Sequence, residues 1–360
     1  MRFRQALAAF ACLLAAAALV AGCGGGSDST STSGSGSAES RPAPPKSEFP
    51  SAKGKTLGDV VNSTEGPSEL VVSPAAEAFN TGENRYPFGV FERDRSQVAD
   101  AKVALYFAKV PSLKQAAKGK AAPAKGGSVL GKAEEKALDQ PAIGPFPAAI
   151  ESLQTQPAFR AQTTASDPNA ATVVYATDIN FPSNGEWRIA AVIKQGGKTT
   201  GTLLPSAEVG EFPKVPRVGQ KAPFIHTPTP ASVGGDLAKI TTRIPPDTQN
   251  EVDYADVLGK EPIVLLFATP QFCQSRVCGP VVDVAEQVKQ LYGDKAKFIH
   301  MEIYNENNPS KGVRPQVKAF HLPSEPWLFV IDRQGVIRKV IEGAFGVDQL
   351  TEAVKGVTGG

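Results

Sequence analysis

Apolar residues between about residues 69 and 209 follow the pattern of strands. Short runs of apolar and β-branched residues are separated by turn-forming segments, and no helical period lies between them. The predicted strands cover residues 69–72, 86–92, 101–109, 171–179 and 186–193. Because strands without helices bury their apolar faces against a second sheet, residues 61–210 are predicted to form an all-β antiparallel sandwich. A Lys/Ala/Gly-rich segment, residues 112–140, is predicted to be a solvated insertion between two strands.

Helical periodicity appears in the last third of the chain. The apolar spacing predicts a helix over residues 280–292 and a shorter one over 347–354. Continuous apolar runs predict strands at residues 263–267, 297–304, 327–332 and 336–342. Buried strands that alternate with amphipathic helices form a sheet covered by helices, so residues 215–360 are predicted to be an α/β domain.

The N-terminus has the pattern of an export signal. Arg2 and Arg4 precede an apolar run over residues 6–20, which is shorter than the roughly 18–20 residues needed to span a bilayer. Residues 1–22 are therefore predicted to be a signal peptide rather than a membrane anchor. Residues 23–60, rich in Gly, Ser, Thr and Pro, are predicted to be a flexible tether.

The junction Val20-Ala21-Gly22-Cys23 resembles the lipobox of bacterial lipoproteins. This resemblance implies that Cys23 becomes the lipid-modified first residue of the mature protein. It also implies a protein anchored by lipid to a cell membrane, on its extracytoplasmic face.

Composition and charge narrow the range of possible functions further. The hydrophobic fraction of 41% allows folded cores, although Gly and Pro are abundant before residue 60 and around residues 115–150. The chain has 38 basic and 36 acidic residues, and the signal peptide holds two of the arginines and no acid. The mature chain is therefore neutral, and no nucleic-acid partner is predicted.

Two of the four cysteines belong to the predicted α/β domain. Cys273 and Cys278 lie between a buried strand and a helix, where the helix N-terminus favours a thiolate and Arg276 adds positive charge. Residues five apart on a regular helix are too distant to form a disulfide. Since Pro280 suits the first helical position and Gly279 the cap, both cysteines are predicted to lie in or beside the preceding loop.

The order of these segments resembles the thioredoxin superfamily, with envelope proteins of the ResA and TlpA type among its members. The buried strand, the cysteines before a helix and the later segment 325–335 carry the resemblance. It implies a mixed central sheet flanked by helices, and it implies that Pro326 is a cis proline of the active site.

The family has two residues between its cysteines, whereas this chain has four. In one alignment Cys273 is the nucleophile and Cys278 resolves the mixed disulfide. In the other, Cys278 is the nucleophile and Val281 replaces the second cysteine. The first alignment keeps the distance from strand to cysteine and is preferred.

Residues 178–189 resemble the end of immunoglobulin-like domains of bacterial envelope proteins, some related to copper resistance. An immunoglobulin-like sandwich is therefore expected, with Trp187 in its core.

The resemblances imply a membrane-tethered thiol:disulfide oxidoreductase that acts on protein thiols or disulfides of the cell envelope and needs no cofactor. A peroxiredoxin is excluded because Pro270 and Leu266 occupy the positions of its conserved Thr or Ser and Pro. Two alternatives stay open. One is a copper-handling protein of the Sco type with His321 as a ligand. The other is a module whose disulfide is only structural.

Three further features have no assigned chemistry. His226 and His300 have no neighbours in sequence that indicate a site. The segment Thr242-Arg243-Ile244-Pro245-Pro246 is predicted to be a loop that packs over the sheet.

Overall fold

Among the described residues, eight strands in the first half of the chain form two antiparallel sheets. The computed structural model describes residues 38–111, 132–273 and 275–359. The strands are β1 (Val71–Pro74), β2 (Gly82–Phe91), β3 (Lys102–Lys109), β4 (Ile143–Pro147), β5 (Ala149–Ser152), β6 (Val173–Phe181), β7 (Gly185–Gln195) and β8 (Lys198–Val209). One sheet has the order β1-β2-β6-β5 and the other the order β4-β3-β7-β8.

The two sheets share one apolar core, which makes this region the predicted β-sandwich. Phe88 and Tyr175 from one sheet and Phe107 and Ile189 from the other are fully buried in it. Trp187 is also buried in this core, as predicted, and its indole N–H donates to the Ser183 carbonyl at 3.0 Å. The inner faces of the two sheets thus pack against each other and bury each other's apolar side chains.

The sequence pattern does not predict β4, β5 or β8. Strand β4 contains Pro145 and Pro147, β8 contains Gly201 and Pro205, and β5 has four residues. Proline and glycine are normally depleted in strands, and four residues are too few to show an alternation. The pairing partners β3, β6 and β7 hold these strands in the sheets.

Residues 38–60 belong to the fold. The predicted flexible tether over residues 23–60 is therefore wrong for these residues. Helix α1 (Leu57–Asn62) begins with a capping box between Thr56 and Asp59. Leu57 and Val60 are fully buried against the outer face of the second sheet, together with Phe49. The apolar residues are few but suitably placed, so this segment is part of the fold. Residues 23–37 lie outside the described residues.

The insertion is described only at its C-terminal end, because residues 112–131 lie outside the described residues. Two more short helices belong to the first half of the chain, α2 (Lys132–Ala137) and α3 (Gln162–Ala165). The carbonyl of Leu138, just after α2, accepts the Gly58 amide of α1 at 2.8 Å.

The second half of the chain contains one mixed four-stranded sheet. Its elements are α4 (Tyr254–Val257), β9 (Ile263–Phe267), α5 (Cys278–Tyr292), β10 (Lys297–Met301), α6 (Pro315–Ala319), β11 (Trp327–Ile331), β12 (Ile337–Glu342) and α7 (Val347–Thr358). The sheet has the order β10-β9-β11-β12. Strands β9 and β10 are parallel, and β11 is antiparallel to both β9 and β12.

Helices cover both faces of this sheet, as predicted. Helices α5 and α7 share one core with it, in which Val281, Val284 and Val354 are fully buried. On the other face, Tyr254 of α4 and Val317 of α6 are buried in a second core. Helix α5 begins two residues before the predicted start, and α7 continues four residues beyond its predicted end.

The two halves pack directly against each other. Leu153, Ala171 and Val174, from the β-sandwich region, belong to the core that contains α5 and α7. The described residues accordingly form one compact unit. Helix α5 and the loop before it therefore have neighbours from both halves.

Candidate functional site

Cys273 and Cys278 form a disulfide at the N-terminus of α5. Their Cα atoms are 5.9 Å apart, within the usual range for a disulfide. Cys278 is the first residue of α5 rather than a loop residue, and Val277 rather than Gly279 precedes the helix as its cap. Cys273 lies in the loop after β9, so the bridge joins this loop to the start of the helix.

The two cysteines differ in their exposure. Cys278 is fully buried in the core beneath α5, whereas Cys273 is partly exposed at its edge. Of the two residues, Cys273 is therefore the one that lies closer to the surface.

Two hydrogen-bond donors lie at the Cys273 sulfur. The backbone N–H of Cys278 donates to Sγ of Cys273 at 3.3 Å, and the Ser275 hydroxyl lies 3.2 Å from the same sulfur. The N–H belongs to the first turn of α5, where amides have no partner within the helix. Helix end and hydroxyl together favour negative charge on this sulfur after reduction.

Arg276 lies within the bridged loop in an unusual backbone conformation. Its φ is +61°, in the left-handed region that residues with a Cβ seldom adopt. Its carbonyl accepts the Ala171 amide at 3.1 Å, a bond from the β-sandwich half to the loop that carries the cysteines. The neighbouring half thus helps to fix this loop.

Pro326 lies at the end of the sheet where β9 stops and the loop that carries Cys273 begins. The Glu325–Pro326 peptide bond is cis, which confirms the predicted geometry, and Pro326 is buried. The next residue, Trp327, pairs with Phe267, the last residue of β9. Pro326, just before β11, and the loop just after β9 therefore lie at the same end of two neighbouring strands.

The residue before Cys273, Phe272, belongs to an aromatic pair. The ring of Phe272 meets the ring of Tyr304 edge to face, with their centroids 6.3 Å apart. Burial, and then the nearby Glu325 carboxyl, raise the pKa of Tyr304. The two residues lie far apart in the sequence, so no local pattern predicts this pair.

The loop predicted over residues 242–246 belongs to a longer segment that contacts both the backbone before Cys273 and helix α5 after Cys278. We call residues 241–250 the brace segment. Within it, the Thr242 hydroxyl accepts the Gln271 amide, two residues before Cys273, at 3.2 Å. Arg243 pairs through Nε with Asp283 of α5 at 2.9 Å, and both side chains are buried. The predicted packing loop therefore has specific polar contacts.

Asp283 is a buried acid five residues after Cys278. Burial raises its pKa, against the opposing effects of Thr164, Arg243 and the Ala161 amide. Asp283 lies among the valines of α5, and the apolar spacing of this helix does not indicate a buried ion pair.

His300 has partners in the structure, which corrects the view from sequence that it has none. Its Nδ1 lies 2.9 Å from Asp247 of the brace segment, and its Nε2 lies 3.1 Å from the Ala268 carbonyl just after β9. Burial alone lowers the pKa of His300, but Asp247 and Glu302 outweigh it and raise this pKa to about 9. The imidazolium then donates to both partners.

The other two histidines lie elsewhere. His321 lines a cavity of about 280 Å³ with residues 211–215, which include no cysteine. His226 is exposed and pairs with Asp253 at 2.6 Å. Among the described residues, no three His, Cys, Asp or Glu side chains are grouped as a metal site requires.

Known proteins give only distant likenesses. No protein-family profile and no curated protein matches the chain. A putative thiol:disulfide interchange protein DsbE from Chlorobium tepidum is similar in structure over 39% of this chain and 98% of its own, with a TM-score of 0.26 and 17% identity. A DUF4784 family protein from Bacteroides caccae is similar over 40% of this chain and 24% of its own, with a TM-score of 0.18 and 11% identity. Both TM-scores are too low to bear on function.

Two predictions concern the membrane. Cys23, the predicted lipid site, lies outside the described residues. No helix among the residues that are described is both long and apolar enough to cross a membrane.

Proposed function

We propose that this protein is a thioredoxin-like thiol:disulfide oxidoreductase of the cell envelope. In this proposal Cys273 and Cys278 are the redox pair, and protein thiols or disulfides are the partners. Lipid on Cys23 anchors the chain to the membrane on its extracytoplasmic face, and residues before 38 connect the anchor to the folded part. The signal-peptide pattern and the lipobox-like Val20-Ala21-Gly22-Cys23 support the anchor.

One observation carries the redox function, namely the contrast between the two cysteines of the disulfide. Cys273 is partly exposed and its sulfur accepts the first amide of α5, whereas Cys278 is fully buried. An attacking thiol needs access and stabilisation of its thiolate, and a resolving thiol needs only to reach the first sulfur. This contrast supports the alignment in which Cys273 is the nucleophile.

The connectivity of the second half supports the thioredoxin-like assignment. A β-α-β unit of β9, α5 and β10 is followed by the β11-β12 hairpin and α7. Cys273 lies in the loop between the central β9 and α5, and Cys278 is the first residue of α5. The cis Pro326 lies at the same sheet edge. The two-sheet sandwich of the first half supports an immunoglobulin-like assignment there.

The proposed reaction is a pair of thiol–disulfide exchanges. The Cys273 thiolate attacks one sulfur of a substrate disulfide, and the other substrate sulfur leaves as a thiolate and takes a proton from water. Cys278 then loses its proton and attacks the Cys273 sulfur, which releases the second substrate thiol. The substrate disulfide is reduced to two thiols as the Cys273–Cys278 dithiol is oxidised, and the reverse sequence oxidises a substrate dithiol.

Trapping of the mixed disulfide tests this proposal. In a Cys278→Ser variant the first exchange proceeds and the second cannot, so incubation with a small peptide disulfide is expected to give a stable adduct at Cys273. In the matched Cys273→Ser variant the one cysteine left among the described residues is the buried Cys278, so this variant is expected to give at least tenfold less adduct. Equal adduct in both variants, or none in either, contradicts the proposal.

A further inference from the structure

We propose that Thr242 and Arg243, adjacent residues of the brace segment, are positioning residues that hold the two sides of the Cys273–Cys278 bridge together after it is reduced. By doing so they set the equilibrium between dithiol and disulfide. The inference deepens the proposed function, on which it rests for its biological meaning.

Thr242 holds the Cys273 side of the bridge. Its hydroxyl donates to a carboxyl oxygen of Glu302 at 2.7 Å, and its backbone N–H donates to the same oxygen at 2.6 Å. Because the hydroxyl proton points to Glu302, an oxygen lone pair is directed at the Gln271 amide, 3.2 Å away. Both Thr242 and Glu302 are buried, which strengthens the hydrogen bonds between them.

Arg243 holds the Cys278 side. Besides its pair with Asp283, its guanidinium donates to the carbonyls of Pro245 at 2.8 Å and Phe159 at 2.7 Å. The second carboxyl oxygen of Asp283 accepts the Ala161 amide at 3.1 Å. Asp283 lies in the second turn of α5, so these bonds fix the helix start relative to the backbone of the brace segment.

Two consecutive residues of one backbone therefore connect to opposite sides of the disulfide. A third connection comes from His300, which joins Asp247 of the brace segment to the Ala268 carbonyl before the cysteine loop. None of these bonds uses a cysteine atom. They persist when the S–S bond is broken, and they keep the two thiols near bonding distance.

The direction of the effect follows from the freedom of the two redox states. In the disulfide state the covalent bond itself restrains the loop, so loss of the Thr242 bond adds little freedom. In the dithiol state the loop depends on its non-covalent contacts, so the same loss adds more freedom. Weakening the brace therefore favours the dithiol and lowers the effective concentration of one thiol at the other.

The experiment measures the equilibrium in which the protein disulfide and two glutathione thiols give the protein dithiol and glutathione disulfide. Thr242→Val removes the hydroxyl and keeps the shape. It is expected to shift this equilibrium toward the dithiol by about fivefold, the size expected from the net value of one hydrogen bond. Thr242→Ser keeps the hydroxyl and is expected to behave like the parent within about twofold.

Thr227→Val is the matched control. Thr227 is buried in the same half of the chain, and its hydroxyl accepts the Tyr254 amide at 2.9 Å, away from the cysteine loop. It is expected to leave the equilibrium unchanged. An equal shift in both valine variants, or no shift in Thr242→Val, overturns the proposal.

A measurement on the unsubstituted protein covers the case in which Thr242→Val does not fold. Amide hydrogen exchange of Gln271 is compared in the oxidised protein and in protein reduced with dithiothreitol. We expect similar protection of this amide in both states, since the Thr242 bond survives reduction. Loss of protection on reduction overturns the proposal.

The outcomes separate the brace from the proposed function. If glutathione does not reduce the disulfide, dithiothreitol buffers are used for the same equilibrium. A fivefold shift in Thr242→Val without any adduct in the trapping experiment supports the positioning role of the brace segment and rejects the proposed oxidoreductase function. Adduct formation with no shift rejects the positioning role alone.

Discussion

The backbone N–H of Cys278 donates to the sulfur of Cys273 at 3.3 Å. Through this contact the first amide of α5 is directed at the sulfur of Cys273, the partly exposed cysteine of the disulfide. Because unpaired amides at a helix start favour negative charge, the contact favours the thiolate form of Cys273 in the reduced protein.

The first prediction concerns the acidity of Cys273. In the reduced protein, alkylation of Cys273 is expected to follow a pKa below the ~8.5 of free cysteine, because the helix start and the Ser275 hydroxyl favour the thiolate. Ser275→Ala removes the hydroxyl 3.2 Å from the sulfur and is expected to raise that pKa. Alkylation rates measured against pH, with each cysteine identified by mass spectrometry, check this. Values near that of free cysteine at both sites contradict it.

A second prediction concerns the buried pair of His300 and Asp247. The pKa of folded His300 is raised from 6.5 to about 9, so its contribution to stability is complete below pH 6.5 and is lost as the pH rises through 9. The pKa of Asp247 is lowered, so its contribution is lost as the pH falls below the ordinary value of 3.8.

Between pH 6 and 9.5 the free energy of unfolding is therefore expected to fall by about 3 kcal/mol from this pair. Urea unfolding at several pH values measures it. The double variant Asp247→Asn/His300→Gln is the control, since it lacks both charges and is expected to lose this part of the pH dependence. The same pH dependence in parent and double variant contradicts the prediction.

The third prediction concerns the ion pair of Arg243 and Asp283, whose side chains are 6% and 2% exposed. Arg243→Met leaves a buried carboxyl without its partner and is expected to lower the free energy of unfolding by about 3–5 kcal/mol. Lys239→Met is the control, because Lys239 and its partner Asp236 are 63% and 51% exposed. Its effect is expected to stay below about 1 kcal/mol. Similar small effects of both substitutions in chemical unfolding contradict the prediction.

A fourth prediction tests whether residues 46–62 belong to the fold. Leu57 of α1 is fully buried, so Leu57→Ala is expected to lower the free energy of unfolding by about 2–5 kcal/mol. Val218 is 59% exposed, and Val218→Ala is expected to change it by less than about 0.5 kcal/mol. A Leu57→Ala effect as small as that of the control contradicts the packing of α1.

The sequence predicts those parts of the fold that depend on local patterns. Strand β9 is a continuous apolar run bounded by turn residues, and α5 has apolar residues at helical spacing, so both are found with nearly correct bounds. Strands β4 and β8 are missed because their prolines and glycines contradict local strand preference, and pairing with β3 and β7 overrides it.

The same distinction holds for the candidate site: residues next to recognisable elements are predicted, and contacts between distant residues are not. Cys273, Cys278 and Pro326 are predicted because their positions next to a strand and a helix are visible in the sequence. The contacts of Thr242 with Glu302 and of Arg243 with Asp283 join residues 60 and 40 positions apart, and no local period signals them. The brace segment is therefore apparent only once the sheet is assembled.

The reduction potential of the Cys273–Cys278 pair tests the central claim most directly. It is obtained by equilibrating the protein with glutathione and dithiothreitol buffers and counting free thiols. The proposed exchange of this disulfide with partner proteins predicts a potential above about −300 mV. A potential below that value, together with no exchange with a peptide disulfide, would show a purely structural bridge and contradict the account.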